Sequence, residues 1–234
     1  MNQELPLIPG GLLVVIEGID GAGKTTQANL LAERLRAEHG LDVIQSREPT
    51  NGQYGIQVRE EGAKGNLTVE QEMALLLKDR REHVETLIQP QLDRGGMVLL
   101  DRYFFSNAAY QGCRGGDIET ILTSNMAFAP VPDIAFYLDV AAEGGIERIL
   151  QRDGKQNAFE DKERLVKCRS IFRDVIEDAR FAALFSSYDA TRGPEDLHAD
   201  LYVATLRAAL GKAIAVEGDS TRRGTLVSWL DGLG

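Results

Sequence analysis

The 234-residue chain has only two cysteines, Cys113 and Cys168, far apart and in no metal or redox spacing. A disulfide scaffold and a cysteine-rich metal site are therefore excluded, and two reduced thiols in a reducing compartment are expected. Long apolar runs are also missing. Leu12 to Ile16 is five residues, against about 20 for a membrane span. Met1 to Pro9 has no basic n-region, so the sequence reads as cytoplasmic, with no signal peptide and no membrane partner. Basic charge is scarce: 26 Lys and Arg face 36 Asp and Glu, for a net charge of −10. That argues against nucleic-acid polymers as partners, because wrapping phosphates needs a basic footprint. A small phosphate ligand needs only backbone dipoles and a few placed cations. Repeats and low-complexity segments are absent. Apolar residues at 43% and charged residues at 26% are ordinary for a globular protein, and the length suits one large domain with an insert or a tail.

Strand and helix signals alternate along the chain. Leu12 to Ile16 reads as a strand buried on both faces. Ala28, Leu31, Ala32 and Leu35 place an amphipathic helix after the glycine-rich turn at Gly18 to Gly23, ending near His39-Gly40. Leu41 to Gln45, Met97 to Leu100, Ile134 to Leu138 and Phe185 to Tyr188 read as further strands. Asn51 to Gly55 reads as a turn cluster and Glu60 to Asn66 as loop. A long helix is expected from Val69 to Gln89, ended by Pro90. Helices are also expected over Tyr103 to Gln111, Asp117 to Phe128, Ala141 to Arg152, Glu160 to Ala183 and Glu195 to Leu210, with a weakly patterned polar tail after Ala215. This alternation implies a parallel sheet covered on both faces, with ligands at the carboxyl ends of its strands.

Gly18-Ile19-Asp20-Gly21-Ala22-Gly23-Lys24-Thr25 fits the phosphate-loop pattern G-x-x-x-x-G-K-[ST], between a buried strand and a helix. Its backbone N–H groups can cradle phosphates, Lys24 can reach the β- and γ-phosphates, and the Thr25 hydroxyl can ligate Mg²⁺. Asp101 ends a buried strand beside that loop, where a Mg²⁺-directed carboxylate belongs; a helix cap is the alternative. Arg102 next to it suits a second anionic group. Asp139 also ends a strand and reads as a cap for the following helix. Arg80 falls on the apolar stripe of Met73, Leu76, Leu77, Val84, Leu87 and Ile88. It either contacts a ligand or pairs a structural carboxylate, since an unpartnered buried charge is costly. Arg148, Arg152 and Lys155 form a cation run that either complements a helix dipole or forms a flap over transferring phosphates.

The run Val15 to Thr26 is similar to the phosphate loop of thymidylate kinases, and Asp101-Arg102-Tyr103, Ser106 and Ala109-Tyr110-Gln111-Gly112 resemble that family's second signature. Arg47-Glu48-Pro49, Pro132-Asp133, Tyr137 to Val140 and Asp189-Ala190-Thr191 match in the same order, so the resemblance covers about Leu13 to Leu210. It implies an α/β nucleoside-monophosphate-kinase fold: a five-stranded parallel sheet, flanking helices and a lid. It implies Mg²⁺- and ATP-dependent phosphorylation of dTMP to dTDP, in nucleotide biosynthesis, by a homodimer. The kinase domain would span 1–215, with a lid at about 152–160 and a tail, 216–234, of no assigned role.

The resemblance also distributes roles. Gly18 and Asp20 to Thr26 would bind the ATP phosphates, and Arg192 would lie by the adenine. Asp20 would meet the acceptor sugar's 3′-hydroxyl, Arg47 and Arg102 its phosphate, Tyr110 its sugar face, and Gln111 and Arg80 its base. A cis bond is implied at Glu48-Pro49. Because Gly21 stands where some members carry a loop arginine, the lid must supply the cation. That selects Arg152 as catalytic beside Lys24 and Asp101, with Lys155 and Arg148 as alternates. Leu76 takes the place of the family's base-stacking phenylalanine, and Thr50-Asn51-Gly52 departs from its usual Gly-Gly-Thr. Another nucleoside monophosphate or a deoxynucleoside therefore stays open as acceptor, and a non-metabolic phosphate-loop switch stands further off.

Overall fold

The computed structural model describes residues 8–153 and 158–233, with the side chains of 153 and 158–161 left aside. The strands are β1 (Leu12–Glu17), β2 (Val43–Arg47), β3 (Met97–Asp101), β4 (Ile134–Asp139) and β5 (Phe185–Asp189). All are parallel, in the order β2-β3-β1-β4-β5. Every residue of β1 and β3 is buried, whereas the edge strands β2 and β5 are only partly covered. The continuous apolar runs are thus the central strands, as expected for a sheet packed on both faces. From β1 the chain crosses to the edge strand β2 and returns to β3 beside β1, then passes to β4 and β5 on the other side. The carboxyl end of β1 is therefore the switch point where such sheets bind ligands.

Helix α1 (Lys24–His39) follows β1 and stops at Gly40, whose φ of 61° permits the left-handed turn that closes the helix onto the Arg36 carbonyl. Helix α2 (Gln53–Ala63) precedes α3 (Val69–His83), which opens with a reciprocal capping box between Thr68 and Gln71. A π-helical turn (Val84–Ile88) joins α3 to α4 (Gln89–Asp93). Next come α5 (Phe104–Gly112), α6 (Ile118–Met126), α7 (Ala142–Asp153), α8 (Ala158–Glu177), α9 (Pro194–Val216) and α10 (Ser220–Asp231). Helices α1 and α9 pack on each other, α1 also against β1 and β3, and α9 against β1 and β4. Phe104, Phe105, Phe172 and Phe181 are buried in the same core.

Five expectations are corrected. The segment expected to be turn and loop is helix α2; it buries only Gly55 and Val58, so it carries no apolar stripe to read. Pro90 does not end the long helix. The Gln89 N–H reaches back five residues to the Val84 carbonyl, and Pro90 falls in the first turn of α4, where its missing N–H is tolerated. Asp139 accepts hydrogen bonds from Arg169, at 2.7 and 2.9 Å, and Arg173, at 2.9 Å, instead of serving as a cap. The tail after Ala215 extends α9 and then forms α10. Strand β2 also starts two residues later than expected, which brings Arg47 level with Asp101 at the carboxyl edge.

Helix α10 is started by Asp219, whose carboxylate accepts from the Arg222 N–H at 2.8 Å. Its Leu226, Trp229, Leu230 and Leu233 recur at i, i+3, i+4 and i+7. They meet Leu210 and Ala213 of α9, and the Trp229 ring lies 5.3 Å from His39 at the end of α1. Trp229→Ala should therefore lower folding stability by about 1–2 kcal/mol, less than a fully buried Trp would cost, and leave kcat unchanged. Denaturant unfolding alongside turnover checks both; a full-size kcat loss would give α10 a role beyond bracing.

Candidate active site

The site is assembled where β1, β2 and β3 end. Beyond Glu17 the chain turns through Gly18, where a side chain would collide with the Leu138 carbonyl oxygen at 2.6 Å, and wraps back to the start of α1. Lys24 is buried and donates to the Ile19 carbonyl at 2.8 Å, across the loop it belongs to. Burial, with Arg102 nearby, lowers its pKa to about 8. The Thr25 hydroxyl donates to Asp101 Oδ2, so the two residues expected at a metal do meet. Asp101 Oδ1 is buried without a hydrogen-bond partner. A hard oxygen pair with one unpaired carboxylate oxygen fits Mg²⁺.

A cleft of about 670 Å³ opens over this loop, lined by Lys24, Thr25, Thr26, Asp101, Arg47 and Arg102 and, from the other side, by Arg148, Arg152 and Arg164. Asp20, Gly21 and Gly23 also line it, whereas Ala22 is buried and is not among the lining residues. Arg192 is not among the lining residues; it is exposed and bonded to Asp200 at 2.5 Å. Lys155, with the rest of 154–157 in the span expected to be the lid, lies outside the described residues.

Gly21, at φ 80°, touches α7. A Cβ there would lie 2.1 Å from the Gly145 carbonyl oxygen, and one on Gly145 would lie 2.5 Å from that of Asp20. Three residues on, Arg148 donates to the carbonyls of Gly21, at 3.3 Å, and Ala190, at 2.6 Å. The base of α7 therefore rests main chain to main chain on the phosphate loop, and Arg148 is held by backbone oxygens. Arg152, one turn further along, faces the cleft.

A second cavity of about 250 Å³ adjoins the first; Asp20, Glu48, Pro49, Arg102 and Arg164 line both. Its walls include Leu76, Arg80, Asn107, Tyr110 and Gln111. Arg102 sits at the junction with a φ of 74°, unusual for a side-chain-bearing residue. Its guanidinium pairs with Asp20, donates to Ser106 Oγ at 3.2 Å and lies 5.0 Å from the Tyr110 ring centroid. Burial opposes ionisation of Asp20, but Arg102 and Lys24 outweigh it and hold the carboxyl below its usual range. The Tyr110 hydroxyl accepts from the Asp20 N–H at 2.9 Å, tying the phosphate loop to α5. Gln111 Oε1 is buried and unpartnered.

Arg80 pairs a structural carboxylate, the second of the two readings of its sequence position. It is 1% exposed and bonds Glu48 through Nε, at 2.8 Å, and Nη2; its Nη1 bonds Asn107, at 2.6 Å, and Asn125. It also lines the smaller cavity. Glu48 carries the cis bond to Pro49 and bonds His83 at 2.9 Å; Arg80 and His83 together overcome its burial and lower its pKa.

Sequence reasoning missed Glu17, Glu48, Asn107, Asn125 and Arg164. Glu48 lay inside the recognised Arg-Glu-Pro run, and Glu17 was conspicuous as a carboxylate ending an apolar strand; Arg164 stands on a helix with no local mark. Glu17 is fully buried and accepts from the Tyr103 N–H at 2.8 Å, the Ser106 N–H at 3.2 Å and the Ser106 hydroxyl at 2.6 Å. It thus caps α5 from the end of β1. Burial nonetheless pushes its pKa up to about 7, against the Ser106 bond and Arg102. Between the ordinary 4.5 and 7 the folded chain holds a proton that the unfolded chain has released, so stability contributed by Glu17 falls as pH rises. The neutral variant Glu17→Gln should therefore gain stability relative to the wild type across that window and hold the gain above it. Paired denaturation curves check this; a constant difference with pH would contradict the buried, proton-holding carboxyl.

A family model described as thymidylate kinase matches residues 16–201. Over 166 residues the chain is 51% identical to the thymidylate kinase of Xylella fastidiosa strain M12, covering 71% of this chain and 76% of that one. It is 51% identical over 168 residues to that of Xanthomonas euvesicatoria pv. vesicatoria, covering 72% and 74%. Against that of Akkermansia muciniphila it is 48% identical over 189 residues, covering 81% and 88%.

Proposed function

Since the chain belongs to the thymidylate kinase family, and is thereby an enzyme that phosphorylates dTMP to dTDP, we propose how its own residues divide that reaction. The observation that carries the division is the junction of the two cavities at Asp20 and Arg102. ATP phosphates occupy the larger cleft, and dTMP occupies the smaller cavity with its phosphate at the junction. An oxygen of the acceptor phosphate then attacks the γ-phosphorus of ATP, and the bond from that phosphorus to the β–γ bridging oxygen breaks. Lys24 exchanges the Ile19 carbonyl for the β- and γ-phosphates. Arg102 and Arg47 hold the acceptor phosphate. Thr25 and Asp101 would hold Mg²⁺, which when bound supplies charge neutralisation at the donor phosphates. Arg152 brings the remaining positive charge over the transferred group, a position no side chain at Gly21 can reach.

On the acceptor side, Asp20 receives the 3′-hydroxyl and Tyr110 lies against the sugar. Gln111 Oε1, unpartnered in its buried position, accepts from the base, and Arg80 meets the base while anchored by Glu48. We keep Gly18 and Gly21 to Thr26 for the ATP phosphates and Arg192 beside the adenine, and read 1–215 as one kinase domain with its lid at 152–160. The same reading makes the enzyme a cytoplasmic homodimer. No helix among the described residues is long and apolar enough to cross a membrane. A deoxynucleoside acceptor, having no phosphate, would leave Arg47 and Arg102 without a task.

A coupled assay with ATP and a panel of dTMP, dUMP, dGMP, dCMP and thymidine tests the acceptor; turnover of thymidine without dTMP would overturn it. Arg152→Ala should lower kcat by roughly 10²-fold or more, the scale of losing one preorganised charge donor, with little change in the KM for dTMP. An unchanged kcat would transfer the role to Arg148 or Lys155.

The base pocket gives another expectation. Leu76→Phe restores an aromatic face and should leave the KM for dTMP unchanged or improve it, by up to about tenfold. Arg80→Ala should lose more kcat/KM for dTMP than Leu76→Ala, because it removes a charged donor and strands buried acceptors. A folded Leu76→Phe enzyme that loses dTMP activity would show that the pocket is shaped for another base.

A further inference from the structure

Cys113 and Cys168 are both free thiols and line neither cavity. Cys113 ends α5, just after Tyr110 and Gln111, and Cys168 lies one turn beyond Arg164 on α8. Their Sγ atoms are 3.3 Å apart, with the Cys168 thiol donating to Cys113. Cys168 is fully buried, whereas Cys113 is partly exposed. A small oxidant therefore reaches Cys113 first. The bond from Cys168, helped against burial by the charges of Arg164, Arg114 and Lys167, pulls the Cys113 thiol down to about 7; the same pairing, with burial, raises Cys168. This is the asymmetry of an attacking and a resolving thiol. Bonded sulfurs sit at about 2.05 Å, a short approach for side chains on two helices already packed together.

We propose that Cys113 and Cys168 are a peroxide-sensitive pair whose disulfide staples α5 to α8 and slows turnover. The Cys113 thiolate attacks one oxygen of hydrogen peroxide. The O–O bond breaks, and the departing hydroxide takes up a proton, leaving a sulfenic acid and one water. The Cys168 sulfur then attacks the sulfenic sulfur, the S–O bond breaks, and the leaving hydroxide takes the Cys168 proton as a second water. Two electrons pass from the sulfur pair to the peroxide, and a dithiol reductant reverses the step by exchange. The staple joins the helix that carries Tyr110 and Gln111 to the helix that carries Arg164 and follows α7 in the chain. It fixes the wall carrying Tyr110 and Gln111 against Arg164, which lines both cavities, so the two helices cannot adjust as nucleotides enter and leave. This effect on activity rests on the proposed use of the two cavities; formation of the disulfide does not.

The full-length protein is treated with hydrogen peroxide, then followed by intact mass, peptide mapping and turnover. The expected result is a loss of two hydrogens, a Cys113–Cys168 linked peptide, a kcat lower by about fivefold or more, and recovery with dithiothreitol. Cys113→Ser should retain basal activity and resist peroxide; Cys168→Ser should form no link and carry Cys113 on to the sulfinic acid. Absence of the linked peptide in the folded wild type overturns the pair. A linked enzyme with unchanged kcat overturns the coupling to turnover, as does equal inhibition of Cys113→Ser.

Discussion

The site depends on the burial of β1. All six residues from Leu12 to Glu17 are inaccessible, and the strand is hydrogen-bonded on both sides, to β3 and β4. It can neither slip nor tilt without exposing apolar surface or breaking two ladders at once. Its carboxyl end therefore emerges at one fixed point, and that point launches the phosphate loop. The neighbouring ladders carry the precision outward. Register pairs Ile16 with Asp101, and Asp101 with Arg47, so the start of the loop, the Asp101 carboxylate and the Arg47 guanidinium share one row of the sheet. Glu17 then extends β1's grip to α5, which holds Tyr110 and Gln111.

Electrostatics at this row are mixed rather than simply positive, in a chain with a net charge of −10. Four inward cations are matched to nearby acceptors: Lys24 to the Ile19 carbonyl, Arg102 to Asp20, Arg80 to Glu48, Arg148 to main-chain oxygens. Such pairing keeps the unliganded protein from carrying bare buried charge, which would be far more costly than any one bond gains. On the proposed division of the site, phosphate binding is an exchange of partners, in which the ligand's oxygens replace the protein's own. Arg80 differs in degree. With Glu48, Asn107 and Asn125 around it, it is fixed in the core and still lines a cavity, which is why its periodicity and its chemistry point in two directions.

The central strands, the phosphate loop and the Asp101-Arg102 step were legible because each is local: an apolar run, a glycine spacing, a charged pair directly after a strand. The resemblance to thymidylate kinases organised the remaining site residues. Features that depend on distant partners were not legible. Glu17 gains its meaning from Tyr103 and Ser106, more than eighty residues away. Asp139 was taken for a local cap because its arginine partners lie a helix later. Helix α2 has hardly any buried face to mark it, while α10 did carry its stripe, Leu226, Trp229, Leu230 and Leu233, beneath a polar composition. Pro90 misled because a π-turn upstream places it in a new first turn.

The close approach of Gly21 and Gly145 also bears on how this active site could change over generations. An arginine entering the loop at position 21 would meet the backbone of α7 rather than open space, so the loop cannot gain a cation there through one exchange. The helix would first have to lift away, and lifting it would carry off the arginines that now serve the cleft. The two placements of charge are thus separated by a valley in which neither works. A lineage that begins with glycine at both positions is held to the arginines of α7 by main-chain geometry, whatever happens to the side chains around them.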